Sequence, residues 1–246
     1  MAIRKNLRFS SASGVTLIEL IAVVAVMALL AVVTGPFIKE AVVSGRQQKC
    51  AGNLRQIGVG IALYASDHDG ELPGTTHTTS DFRKAWIYAL KPYLGNVDEV
   101  RICPADPIGD ERLKADGTSY ILNSYVFVPR VGPFGEPLPG SMHNIRSIPY
   151  PARTLFAANI SDEQGASVQN DHTHSEHWGG EEGATGNWEA LLNDIQPDRF
   201  SSDPSEDHTN GSANYLFGDG HVESIPALEI KERLQRGDNI ARPPTP

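Results

Sequence analysis

Val15 to Val33 reads VTLIELIAVVAVMALLAVV, nineteen residues with a single charge, at Glu19. At about 1.5 Å of rise per residue, a helix of that length covers roughly 28 Å, close to the hydrocarbon thickness of a bilayer. The run therefore reads as a membrane-spanning helix. Arg4, Lys5 and Arg8 precede it and no comparable basic cluster follows at once, so the positive-inside rule predicts a cytoplasmic N-terminus with the rest of the chain outside. Charge is divided the same way: 21 bases and 30 acids give −9 overall, but residues 1–14 hold three bases and no acid, which leaves −12 on the remainder. An acidic body lacks the clustered Lys and Arg that neutralise phosphates, so nucleic acid is not an expected partner. With 246 residues, 40% of them hydrophobic, the chain is too long for a disulfide miniprotein and too apolar to be disordered throughout.

Three kinds of N-terminus compete: a cleaved secretory signal, an uncleaved anchor, and a leader cut on the cytoplasmic side of the apolar run. A secretory signal ends in small residues of the A-x-A kind after a shorter apolar stretch, whereas this one runs into Val32-Val33-Thr34-Gly35-Pro36. Glu19 discriminates further. A carboxylate inside an apolar span costs about 2.5–3.5 kcal/mol on insertion scales and calls for a partner, which an uncleaved anchor does not provide.

Gly14-Val15-Thr16-Leu17-Ile18-Glu19 resembles the start of the type IV pilin and type II secretion pseudopilin family, whose short basic leader ends in Gly before an apolar residue and Thr-Leu-Ile-Glu. The resemblance implies cleavage between Gly14 and Val15, N-methylation of Val15, and filament assembly through Glu19, whose carboxylate pairs with the terminal amine of a neighbouring subunit. A paired buried charge is tolerated where an unpaired one is costly. Val15 departs from the family's usual Phe or Met. Pro36, residue 22 of the expected mature chain, removes a backbone hydrogen bond and is expected to kink the helix, as helix-breaking prolines do near this place in many pilins.

Beyond Pro36 the helical pattern continues to about Ser66. Cys50, Leu54, Ile57, Ile61 and Tyr64 form one apolar stripe, while Arg46, Gln47, Lys49, Asn53, Arg55 and Gln56 form the polar face. Gly52, Gly58 and Gly60 suggest close packing against a sheet, and Asp67-His68-Asp69-Gly70 with Pro73 ends the helix. Cys50-Ala51-Gly52-Asn53-Leu54-Arg55-Gln56-Ile57-Gly58, Cys103-Pro104-Ala105-Asp106 and Asn214 to Val222 are similar to the pilin-like proteins with a prepilin-type processing-associated C-terminal domain. Their hallmark is a His followed after nine residues by Asp-Gly; here ten residues separate His208 from Asp219-Gly220, and Asn159 stands where the family often has Asp.

The expected fold is α+β, a long N-terminal transmembrane helix packed on a small antiparallel sheet head, the pilin-like lollipop. Its parts are a leader (1–14), a transmembrane helix (15–34), an amphipathic extension (35–69), a head (70–236) and a flexible tail (237–246). Candidate strands are Val100–Ile102, Tyr120–Val128, Thr154–Ala158, Tyr215–Phe217 and His221–Ile225, with Asp219-Gly220 as a hairpin turn. Ser80 is expected to cap a short helix carrying Phe82, Trp86 and Leu90 on one side.

Cys50 and Cys103, the sole cysteines, fall in an oxidising space by this topology and are candidates for a disulfide; two separate buried thiols are the alternative. His172, His174 and His177, with Asp171 and Glu176 beside them, are candidates for a transition metal, although the stretch reads as a surface loop. Pseudopilins often hold calcium near the C-terminus, and Asp194, Asp198, Asp203, Glu206 and Asp207 are the oxygen donors available here, without the spacing of a recognised calcium loop. No cofactor is otherwise expected. A Gly-x-Ser-x-Gly elbow, a Walker lysine loop and a His-Glu-x-x-His helix are all absent, so the chain reads as a substrate of processing enzymes rather than an enzyme. The expected partners are other pilin-like subunits, a prepilin peptidase and methyltransferase, an inner-membrane assembly platform and the bilayer. The alternative is a membrane-anchored periplasmic module that binds metal or glycan and uses the leader for export.

Overall fold

The computed structural model describes residues 14–79, 81–134, 136, 138, 141–142, 144–179 and 185–245, with backbone alone at 36 and 82. Residues 1–13 of the basic leader and Ser80 lie outside the described residues. The chain divides into two compact units, Met1–Ala41 and Val42–Pro246. Helices are α1 (Leu17–Asp67), α2 (Trp86–Ala89), α3 (Gly109–Lys114), α4 (Ser124–Phe127), α5 (Trp188–Asp194) and α6 (Ala227–Gln235); strands are β1 (Tyr120–Leu122), β2 (Leu155–Asn159), β3 (Ser212–Phe217) and β4 (Val222–Pro226).

In the first unit, α1 is apolar all the way round from Leu20 to Val33. Every Leu, Ile, Val and Met from Leu17 to Val33 is more than half exposed. Such a helix has no polar face to offer water, and α1 is long and apolar enough to cross a membrane. The expected kink does not interrupt the element: α1 stays helical through Gly35 and Pro36. Just before it, Thr34 donates its hydroxyl to the Leu30 carbonyl at 2.8 Å, the local bond that makes a Thr acceptable in an apolar helix.

In the second unit, the strands form one antiparallel sheet in the order β1-β2-β3-β4. Its two faces are both covered, an addition to the single helix-on-sheet core expected from the sequence. One core joins Cys50, Leu54, Ile57 and Ile61 of α1 to Leu122, Phe156 and Leu216; Tyr64 is partly buried at its margin. The other joins Ile121, Leu155, Tyr215 and Ile225, from the opposite side of the same strands, to Trp178, Leu191, Ile195, Ile230 and Leu234. Alternation along β1 thus feeds both layers, as a period of two requires. A register shift in the β2–β3 pairing between Leu155 and Ala157 places Phe156 and Ala157 together in the first core.

The glycines of α1 act unequally. A Cβ on Gly58 would meet Leu216 Cδ1 at 2.9 Å and one on Gly60 would meet Leu94 Cδ2 at 3.1 Å, but Gly52 has open space and serves no close packing. Asn53 is buried rather than on the polar face, donating to the Ile102 carbonyl at 2.9 Å. Gly70, at φ +88°, closes the helix with a bond from its N–H to the Ala65 carbonyl.

Three expectations are corrected. Residues 98–101 form a 3-10 turn, not a strand, because the buried Arg101 side chain reaches the carbonyls of Leu113 and Gly117. The strand from Tyr120 stops at Leu122, where the Asn123 side chain accepts from the Tyr125 N–H and starts α4. The C-terminal tail is docked through residue 241: Ala241 is fully buried, its carbonyl accepts from Asn123 Nδ2 at 2.6 Å, and Asn239 Nδ2 donates to the Ser175 carbonyl.

Candidate functional site

The N-terminus of α1 is built by its own first turn. Thr16 precedes the helix and Glu19 is its third residue, the spacing of a capping box. Glu19 Oε2 accepts both the Thr16 backbone N–H, at 2.8 Å, and the Thr16 hydroxyl, at 2.7 Å, while the Glu19 N–H points to the Thr16 hydroxyl at 3.3 Å. The carboxylate therefore has local donors even in a single chain, which the sequence argument about an anchor left out. Both bonds use one oxygen, and Oε1 carries no hydrogen bond among the described residues. Gly14 and Val15 precede the helix and are exposed, so the peptide between them lies outside regular structure and is reachable.

Cys50 and Cys103 are buried free thiols, not a disulfide, although they lie side by side with the Cys103 thiol bonded to Cys50. Burial disfavours a thiolate at Cys50, but bonds from Cys103, from the Tyr120 hydroxyl (3.4 Å) and from Asn159 Nδ2 (3.4 Å) outweigh it and bring the thiol down to about 7. The Cys103 thiol is pushed up, first by its bond to Cys50 and then by burial. Asn159 thus stands beside the sulfur, bonded to Cys50 on one side and to the Asn214 N–H on the other.

The histidine stretch is not a loose loop. Leu122 exchanges backbone bonds with it, its N–H to the Asp171 carbonyl at 3.0 Å and its carbonyl from the Thr173 N–H at 2.8 Å, so residues 171–173 line the outer edge of β1. Asp171 is fully buried and accepts three donors: the Thr76 N–H (2.8 Å), the Thr76 hydroxyl (2.9 Å) and His172 Nδ1 (2.8 Å). Through Thr76 it brings in His77, which the sequence reading did not single out. His77, His172 and His174 present ring nitrogens that all lie within 4.8 Å of one another. His177 does not join them. The chain leaves its strand-like path after Thr173 and enters a 3-10 turn (Ser175–His177), which sets the His177 ring parallel to His174 with centroids 6.5 Å apart.

The five acids considered for calcium do not converge. Buried Asp194 accepts the Trp178 indole N–H and the His174 N–H, each at 2.7 Å. Asp198 is paired with His208 at 3.0 Å, Asp207 with Lys231 at 3.1 Å, and Asp203 and Glu206 are exposed. Among the described residues, the three histidines alone form a cluster of metal-ligand geometry. The C-terminal motif is likewise split: His208, at φ +55°, faces Asp198, whereas Asp219 accepts the N–H of His221 at 3.0 Å and Gly220 takes φ +88° in the β3–β4 turn. That turn is a three-residue loop whose last residue is left-handed, a geometry that suits Gly. No family model, curated protein or solved structure matches the chain.

Proposed function

We propose that this chain is a structural pilin-like subunit, a pseudopilin of a type II secretion apparatus or a subunit of a related type IV filament. In this reading, prepilin peptidase cuts between Gly14 and Val15 and the new amine of Val15 is methylated. The N-terminus starts on the cytoplasmic side and the head lies in the periplasm until assembly draws the subunit into a filament. What carries the reading is the apolar helix from Leu17 to Val33 with one carboxylate near its start, held by Thr16 through one oxygen while the other stays open. A neighbouring subunit's terminal ammonium would complete that charge inside the packed helices, where an unpaired carboxylate is costly.

Glu19→Val tests it. Membrane insertion should be intact or improved, and incorporation into sheared or crosslinked fibres should be lost; unchanged incorporation would overturn the proposal. Mass spectrometry of the mature protein should find a methylated Val15, and a start at Met1 or after Gly35 would be equally fatal. The histidine cluster favours a second reading, the membrane-anchored binding module, under which Glu19→Val changes nothing.

A further inference from the structure

We infer that His77, His172 and His174 form a binding site for a divalent transition metal, with Zn²⁺ the first candidate. Imidazole nitrogens suit Zn²⁺, and a three-histidine set with one open position is an established coordination pattern for it. The three ligand nitrogens lie within 4.8 Å of one another. Tetrahedral binding at about 2.05 Å places ligand nitrogens roughly 3.4 Å apart, so the rings need to close by no more than about 1.4 Å. His77 and His174 are exposed and free to swing inward, while His172 is the fixed point.

Two buried carboxylates stand behind the ligands, and they mark this cluster as a built site. Asp171 accepts His172 Nδ1 at 2.8 Å, which orients the ring and leaves Nε2 as the free donor. Asp194 lies 3.6 Å from His174 Nδ1 and accepts the backbone N–H of the same residue. Each carboxylate is held by several hydrogen bonds of its own, so both are fixed before a metal arrives. Their two negative charges match a dication, which three neutral imidazoles alone would not do. The ligands come from two segments, the turn after α1 and the strip along β1, which Asp171 already joins through Thr76. A bound metal would clamp those segments together and keep one coordination position toward solvent.

The test uses the full chain in detergent, stripped with a chelator and titrated with Co²⁺ and, separately, with Zn²⁺ by calorimetry. One equivalent of Co²⁺ should give the intense visible d–d bands of a four-coordinate site, Zn²⁺ should displace it, and the melting temperature should rise with metal. His77→Ala and His174→Ala each replace an exposed side chain and should abolish the bands while leaving the metal-free melting temperature unchanged. His177→Ala should bind as the parent does. Asp171→Asn, which leaves all three ligands in place, should weaken binding about ten- to a hundredfold. No saturable binding by either metal, or binding that survives loss of His77 and His174, would overturn the inference, as would binding lost with His177 alone.

Discussion

Oxidation of Cys50 and Cys103 should stabilise the second unit by an amount the chain itself sets. The two thiols are buried neighbours, and the loop they would close spans about 54 residues, for which the loop-entropy relation gives about 4 kcal/mol. For a unit the size of Val42–Pro246, each kcal/mol moves the melting temperature by roughly 2–4 °C, so the oxidised form should melt about 8–16 °C higher. Burial opposes a thiolate at Cys50, but its donors lower the thiol, which makes Cys50 the attacking sulfur once the buried pair is reached by the oxidant. The measurement is a pair of thermal melts on the full chain in detergent, one sample oxidised with glutathione disulfide and one kept in a phosphine reductant throughout, with free thiols counted after denaturation. Cys103→Ser should abolish the difference between the two samples. Two free thiols in the oxidised sample, or coincident melts with the bond formed, would show that the pair is a packing contact and that the entropic reasoning fails here.

Other outcomes follow from single contacts. Arg112 is fully buried, pairs with buried Asp106 at 2.9 Å and donates to the carbonyls of Ser161, Gln164 and Gly165; Arg112→Met strands that carboxylate and should cost about 3–5 kcal/mol in urea unfolding, with much of it regained in the Arg112→Met/Asp106→Leu double variant. Gly220→Ala puts a side chain at φ +88° and should cost about 1–2 kcal/mol by the same assay. Slight burial raises the Asp219 carboxyl, but the His221 N–H and ring outweigh it and leave it below the usual carboxylate range. Its contribution is therefore present above about pH 4 and fades as pH falls through the depressed value, so the stability gap between the parent and Asp219→Asn should narrow from pH 5 to pH about 3; a gap constant across that window would refute the assignment.

Much of the fold is legible where a period is long and one-sided. The Cys50–Ile61 stripe gives the buried face of α1 outright, since about three turns of unbroken spacing leave little else for it to be. The hairpin around Asp219-Gly220 is legible for a different reason, its turn chemistry. The misread elements are short segments decided by one side chain: Asn123 stops β1 by capping α4, and Arg101 curls residues 98–101 around its own guanidinium. His77 was invisible because its partners lie 95 residues or more away and are brought to it by Asp171 gripping Thr76. Hydroxyl-rich Thr75-Thr76-His77-Thr78 after a helix stop is a weak signal, readable only once the buried acid is known. Likewise Ala241 looked like a frayed end because nothing in Asn-Ile-Ala-Arg announces that an asparagine side chain more than a hundred residues earlier needs its carbonyl.

The sheet's two margins are finished differently. Beside β1 the margin is already occupied by residues 171–173, whereas among the described residues no segment lies along the far side of β4. That open margin is only five residues long, carries exposed Glu223, and ends in Pro226, which has no amide hydrogen to lend. A second copy therefore gains little by laying a strand there, and crowding heads together should not zip them into a continuous ribbon. Any contact between two copies along this margin would have to work through side chains, leaving them separable where a shared backbone ladder would weld them.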